Sequence, residues 1–157
     1  MKFTQYNIGK TDSKYIKDGI DDYLKRIGHF IDFTIVDIPD IKQKKNLNPD
    51  TIKHKEGESL MRFLTKTDII VLLDENGTEY TSRGFSEWLN KLINMGNKQV
   101  SFVTGGAYGF SEELYKRADF KISLSKLTFT HLLIRLVFVE QLYRACTIIK
   151  GIPYHND

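Results

Sequence analysis

The chain has 157 residues, 41% of them hydrophobic and 27% charged, with a net charge of +3 and one cysteine. That length suits a single domain, residues 1–157, able to bury roughly two thirds of the surface its unfolded chain exposes. Cys146 alone excludes an internal disulfide framework and a cysteine cluster for metal. No apolar run approaches the ~20 residues of a membrane span. The opening Met1-Lys2-Phe3-Thr4-Gln5-Tyr6 alternates like a strand and lacks the apolar core of a signal peptide. The chain therefore reads as cytoplasmic, with no membrane partner. Its charge is compatible with nucleic-acid binding without establishing it. Lys42, Lys44, Lys45, Lys53 and Lys55 gather in one stretch, and Lys2, Lys10, Lys14 and Lys17 near the start. Such a stretch suits a solvated loop first and phosphate contact second.

In chain order, the pattern predicts a strand over Phe3 to Ile8, then a helix capped by Asp12 or Ser13 that carries Tyr15, Ile16, Ile20, Tyr23, Leu24 and Ile27 on one face. Phe30 to Ile38 reads as a second strand, stopped by Pro39-Asp40, and Pro49 to Leu64 as a helix with the proline in its first turn. Asp68 to Asp74 is nearly continuous apolar sequence, suited to a strand buried on both faces, and Asn76-Gly77 is a turn signal. A helix from Ser82 to Met95 ends at Gly96. Lys98 to Val103 is a fourth strand, Ser111 to Ala118 a helix, and Phe120 to Leu124 a fifth strand. A last helix runs from Thr128 or Thr130 to Ile149, before Gly151. Strands alternating with helices predict a single-domain α/β fold, a mostly parallel sheet with helices on both faces.

Two segments carry chemistry. Val103-Thr104-Gly105-Gly106-Ala107-Tyr108-Gly109 leaves a strand and opens a helix, and Ser123-Leu124-Ser125-Lys126-Leu127-Thr128-Phe129-Thr130-His131 follows the next strand. Paired strand-to-helix turns built from small residues form a ledge of backbone amides that can hold a nucleotide-like ligand. The glycines follow the fourth strand, where a dinucleotide fingerprint would follow the first, and neither segment has the spacing of a phosphate-binding loop. Ser125 and Thr128 are candidates for capping the last helix.

That helix is apolar around most of its circumference, which predicts burial on more than one side: the sheet on one, a second copy of the chain on the other. Arg135, Glu140, Gln141 and Arg144 interrupt it; Glu140 and Arg144 have the spacing of an ion pair, or line a shared site. The histidines at 29, 54, 131 and 155 have no metal-ligand spacing. His29 and His54 read as surface residues and Cys146 as a core filler. His131 is either a structural hydrogen-bonder or part of a site. Tyr154 and His155, in a short tail after Pro153, have the chemistry of a lid over a base.

Several segments in order carry a resemblance over the whole chain. They are Leu72-Leu73-Asp74-Glu75-Asn76-Gly77, Phe102-Val103-Thr104-Gly105-Gly106, Leu124 to His131, Glu140-Gln141-Leu142-Tyr143-Arg144-Ala145 and the Pro153-Tyr154-His155 ending. In these the chain resembles the small SPOUT-class methyltransferases that act on N3 of a pseudouridine in large-subunit (23S) ribosomal RNA. The resemblance implies a C-terminal trefoil knot, a homodimer and S-adenosyl-L-methionine as methyl donor. It assigns cofactor contacts to Leu73, Gly105, Leu124, Ser125, Lys126, Leu127, Thr128 and Phe129. Thr130 departs from the proline usual at that position, which predicts a slightly looser turn.

Methyl transfer of this kind needs neither a metal nor a covalent enzyme intermediate. It needs alignment and removal of the weakly acidic N3 proton. His155 of the tail is the candidate base, in its own subunit or across the dimer. Arg144 or Arg135 would hold a phosphate or the developing charge on the base, and Tyr154 would stack on it. The expected substrate is the assembled ribosome, because the chain has no separate RNA-binding domain. A SPOUT-type enzyme acting on tRNA, a non-catalytic nucleotide-binding or ribosome-assembly factor, and a nicotinamide oxidoreductase are the alternatives.

Overall fold

A computed structural model describes residues 1–66, 69–96 and 99–157. Five strands form one wholly parallel sheet in the order β2-β1-β4-β3-β5: β1 Lys2–Ile8, β2 Asp32–Ile38, β3 Ile69–Glu79, β4 Gln99–Thr104 and β5 Phe120–Ser123. The helices are α1 Lys14–Ile27, α2 Pro49–Met61, α3 Ser82–Asn94, α4 Glu112–Arg117 and α5 Leu133–Lys150, with a single 3-10 turn at Lys44–Asn46. The α/β reading holds. Asp68 and Lys98, read from sequence as the first residues of two strands, lie outside the described residues.

Successive strand residues face opposite sides, and two cores result. Phe3, Val71, Leu73, Val100 and Phe102 pack on one face with Leu89 of α3 and Phe138, Val139 and Leu142 of α5. Tyr6, Ile8, Ile70, Leu72 and Val103 pack on the other with Leu60 of α2 and Leu114 of α4. Helix α5 lies against both α1 and α3 as well as the sheet. Much of its apolar circumference is thus covered within the chain, so the second copy invoked from sequence is not required to bury it. Cys146 is in this core, and burial pushes its thiol pKa up to about 12.

The boundaries differ from the sequence reading for local reasons. Phe30 and Ile31 donate their amides to the Ile27 carbonyl, so they extend the turn after α1, and β2 starts at Asp32. Thr81, not Ser82, caps α3 by accepting from the Gly84 amide. Ser13 is the cap position of α1 but makes no side-chain capping bond. The Asn76-Gly77 signal does not end its strand. Leu73 and Thr78 both pair with Ile122, so residues 74–77 bulge out and β3 resumes beside β5. An ideal Cβ on Gly77 would lie 2.6 Å from the Ile122 backbone, so only glycine fits this close approach.

Helix α5 starts at Leu133, later than expected. The preceding residues form a turn in which Ser125 Oγ accepts from the Leu127 amide, at 2.9 Å. Ser125 and Thr128 therefore do not cap α5. Thr130 does part of that work, its hydroxyl accepting from the Leu133 amide at 3.2 Å.

Candidate functional site

The cavity that defines the site, about 780 Å3, opens beyond the carboxyl ends of β4, β3 and β5, the usual place for ligands in parallel sheets. Three segments build it: the β3 bulge from Leu73 to Asn76, the turn from Thr104 to Phe110, and the loop from Ser123 to His131. Its volume is within the range of about 300–1,000 Å3 typical of cofactor sites. Gly109, at φ +82°, closes the middle turn with its amide bonded to the Gly106 carbonyl. Beneath that turn runs a buried polar chain. The Thr104 hydroxyl donates to Asn7 Oδ1 at 2.6 Å, and Asn7 Nδ2 donates to Asp37 at 2.9 Å. Behind it Glu56 is buried, one oxygen accepting from Lys44 Nζ at 2.8 Å and the other packed against Gly106. Lys44 of the lysine-rich stretch thus has a structural role, while Lys42 and Lys45 are exposed.

The wall has an unusual charge. Asp74 and Glu75 line it, and among the described residues no lysine or arginine does. Asp74 is buried, one oxygen accepting from the Asn76 amide at 2.8 Å and the other from the Tyr115 hydroxyl. Burial, then the bond to Asp74, pushes the Tyr115 pKa well above the ordinary tyrosine value. Apolar surface comes from Leu73, Leu124, Leu127, Phe129 and Ile134. Such a cavity offers backbone amides and carbonyls, apolar plates for a ring and a negative field. It suits an adenosine group bearing positive charge and disfavours a polyphosphate, so the donor set fits S-adenosylmethionine better than a nicotinamide dinucleotide. Among the described residues no group of three or more His, Cys, Asp or Glu could hold a metal.

Residues 1–155 match the model of a family described as "Predicted SPOUT methyltransferase". The chain belongs to this family. Relatives called "Ribosomal RNA large subunit methyltransferase H" match it along nearly their full length. The Christiangramia forsetii protein is 53% identical over 149 residues, 95% of each chain. That of Flavobacterium johnsoniae is 52% identical over 150 residues, 96% of each. That of Parabacteroides distasonis is 50% identical over 157 residues, all of both.

In this SPOUT chain the structure brings Leu73, Gly105, Leu124, Ser125, Leu127, Thr128 and Phe129 around one cavity; Lys126 is in the same loop but outside its wall. His131 is exposed at the rim. Asp74, Glu75 and Tyr115 escaped notice as site residues in the sequence. The available signal was an acidic pair and an Asn-Gly turn directly following a buried apolar run.

Arg144, Tyr154 and His155 form a second cluster, outside that wall. The tail folds back on its own chain. The Tyr154 hydroxyl donates to Glu140 at 3.1 Å and lies 3.2 Å from the Tyr23 hydroxyl of α1, while Arg83 of α3 pairs with Asp157. Glu140 also pairs with Arg144, the i,i+4 arrangement legible in the sequence. Arg144 donates to His155 Nδ1 at 3.3 Å, which assigns the ring proton to Nε2, the atom that faces Asp157 at 3.1 Å. Burial, then contact with Tyr23 and Glu140, raises the Tyr154 pKa above the ordinary value.

Arg135 is elsewhere. It is 1% exposed, and its guanidinium donates to the Ile8 and Gly9 carbonyls and to Thr11 Oγ1, pinning the start of α5 to the end of β1. Burial lowers its pKa, against the opposing effect of Asp37, Asp12 and Asp40.

Proposed function

We propose that this chain transfers the methyl group of S-adenosylmethionine to N3 of a pseudouridine in the 23S RNA of assembled ribosomes, in the cytoplasm and as a homodimer. The observation that carries the reading is the cation-free cavity at the strand ends, in a chain about half identical to proteins called ribosomal RNA large subunit methyltransferase H. When bound, the cofactor supplies an electrophilic methyl carbon. Leu73, Leu124 and Leu127 would flank its adenine, and the amides and carbonyls of Gly105 and of Ser125 to Phe129 would meet its polar edges, with the trefoil knot of the family enclosing them. The exposed Leu127, which lines the cavity with Ile134, and the half-buried Leu133 and Val137 of α5 support a second copy seated at this end of the helix.

Because the tail lies outside the cavity wall of its own chain, His155 acts across the dimer, at the cavity of the second copy, accepting the N3 proton as the N–C bond forms, and Tyr154 orients the base. Arg144 holds the negative charge that develops on the carbonyl oxygens beside N3. It is preferred to Arg135, whose donors already serve the β1–α1 loop. Before it can act as base, His155 must give up the hydrogen bond from Arg144 to Nδ1.

The test is transfer of labelled methyl to unmodified 70S ribosomes, 50S subunits and naked rRNA, with mapping of the labelled nucleotide. Label on one 23S pseudouridine in ribosomes but not in naked RNA is the expected result. Tight cofactor binding with no label on any of them would overturn the substrate assignment. His155→Ala is expected to lower turnover strongly while leaving cofactor affinity nearly unchanged, and unchanged turnover would remove His155 from the mechanism.

A further inference from the structure

The acidic wall has a consequence for which form of the cofactor the cavity prefers, given the cofactor reading above. S-adenosylmethionine and its demethylated product share adenosine, α-ammonium and carboxylate, and differ in one methyl group and one positive charge on sulfur. Every interaction with the shared parts cancels when the two affinities are compared. What remains is the response of the wall to that charge.

We propose that the Asp74 and Glu75 carboxylates make this cavity select the positively charged sulfonium cofactor over its neutral thioether product. Asp74 is 8% exposed, so water screens it poorly, and it is held at both oxygens, by the Asn76 amide and the Tyr115 hydroxyl. It cannot swing away from the cavity without breaking both bonds. Glu75 adds a second negative charge on the same wall. Lys121 is stacked over the Tyr115 ring at 5.5 Å and is outside the cavity wall, as is Lys126. Among the described residues of the wall no lysine or arginine therefore offsets the pair. Transfer of the methyl group abolishes the ligand's net positive charge, and the same field that retains the donor ceases to retain the product. The cavity would thus favour exchange of product for donor after each turnover.

The experiment is calorimetric titration of the full-length protein with S-adenosylmethionine, S-adenosylhomocysteine and sinefungin, which carries an ammonium near the position of the sulfonium. Wild type is expected to bind the two cationic ligands more tightly than the thioether. Asp74→Asn is expected to lower the ratio of S-adenosylmethionine to S-adenosylhomocysteine affinity about three- to thirtyfold, the span between aqueous and protein-like screening of one charge on the cavity wall. Glu75→Gln, at an exposed position, carries the same test with a smaller change and stands in if Asp74→Asn fails to fold. Tyr115→Phe keeps both charges but frees one Asp74 oxygen, so it is expected to lower the ratio by clearly less than Asp74→Asn. The proposal is overturned if the carboxylate variants weaken all ligands equally, or if Tyr115→Phe shifts the ratio as far as Asp74→Asn. A wild-type protein that binds none of the three would overturn the cofactor reading itself, a distinct failure.

Discussion

Replacing Gly77 by alanine tests how the β3 bulge is built. The added methyl would sit 2.6 Å from the Ile122 backbone carbon and nitrogen and 2.7 Å from the Lys121 carbonyl carbon, where ordinary contact begins at 3.4 Å. The deficit of about 0.8 Å falls on strand backbone, which cannot rotate aside as a side chain would. Relief requires moving the bulge off β5 and loosening the Thr78–Ile122 and Glu79–Ser123 pairing. Overpacking costs about 1–3 kcal/mol and each weakened backbone bond about 1 kcal/mol, so roughly 2–5 kcal/mol is expected. In a chain this long, that lowers the melting temperature by roughly 5–15 °C.

Gly96→Ala is the control. Gly96 has φ +71° with open space around its Cβ position, so its cost is the left-handed conformation alone, about 1 kcal/mol. Urea and thermal denaturation compare the two variants, and calorimetry adds S-adenosylmethionine affinity, which Gly77→Ala is expected to weaken by displacing Asp74 to Asn76. If Gly77→Ala is no less stable than Gly96→Ala and binds the cofactor normally, the steric account of the bulge is wrong.

Other outcomes follow from single contacts. Arg135→Lys is expected to destabilise the fold by about 2–4 kcal/mol, because one ammonium cannot replace a fork that reaches two carbonyls and a hydroxyl; a melting curve like wild type would refute this. Glu140→Gln weakens the anchor of both Arg144 and Tyr154, and carboxypeptidase should trim the tail faster than in wild type. Cys146 should resist a thiol reagent at pH 8 in the native protein and react on unfolding, since burial keeps it protonated. Tyr115 and Tyr154 hold their protons more tightly folded than unfolded, so the stability they contribute is full below about pH 10 and is lost as the pH rises above it. Tyr115→Phe should make that alkaline loss shallower in denaturation curves.

The alternation of apolar strands and amphipathic helices was legible because it reflects burial on a sheet, which any β-α-β chain must satisfy. The apolar run ending at Leu73 therefore located β3, and its neighbour Gly105 the turn beside it. What local pattern could not show was pairing. Asn76-Gly77 has the chemistry of a turn, and only the return of Thr78 to Ile122 reveals it as a bulge inside a strand. Arg135 looked like a charge awaiting an anion because its acceptors, the Ile8 and Gly9 carbonyls, are more than 120 residues away in the chain. The late start of α5 was hidden for a similar reason, since residues from Leu127 to His131 are held in a cavity-lining loop.

The sheet order also shapes how this chain reaches its native state. Among the described residues all strand pairings are parallel, so none of these can form as a local hairpin, and each must wait for a crossover to close. The elements that complete the structure come last: β5 receives both halves of β3, and α5 fills the space between α1 and α3. During synthesis the faces around Phe3, Val71 and Phe102 stay uncovered until Phe138 and Leu142 have emerged. In such a chain the apolar faces of the sheet depend for their cover on segments made late in synthesis, the situation in which transiently exposed surface favours aggregation.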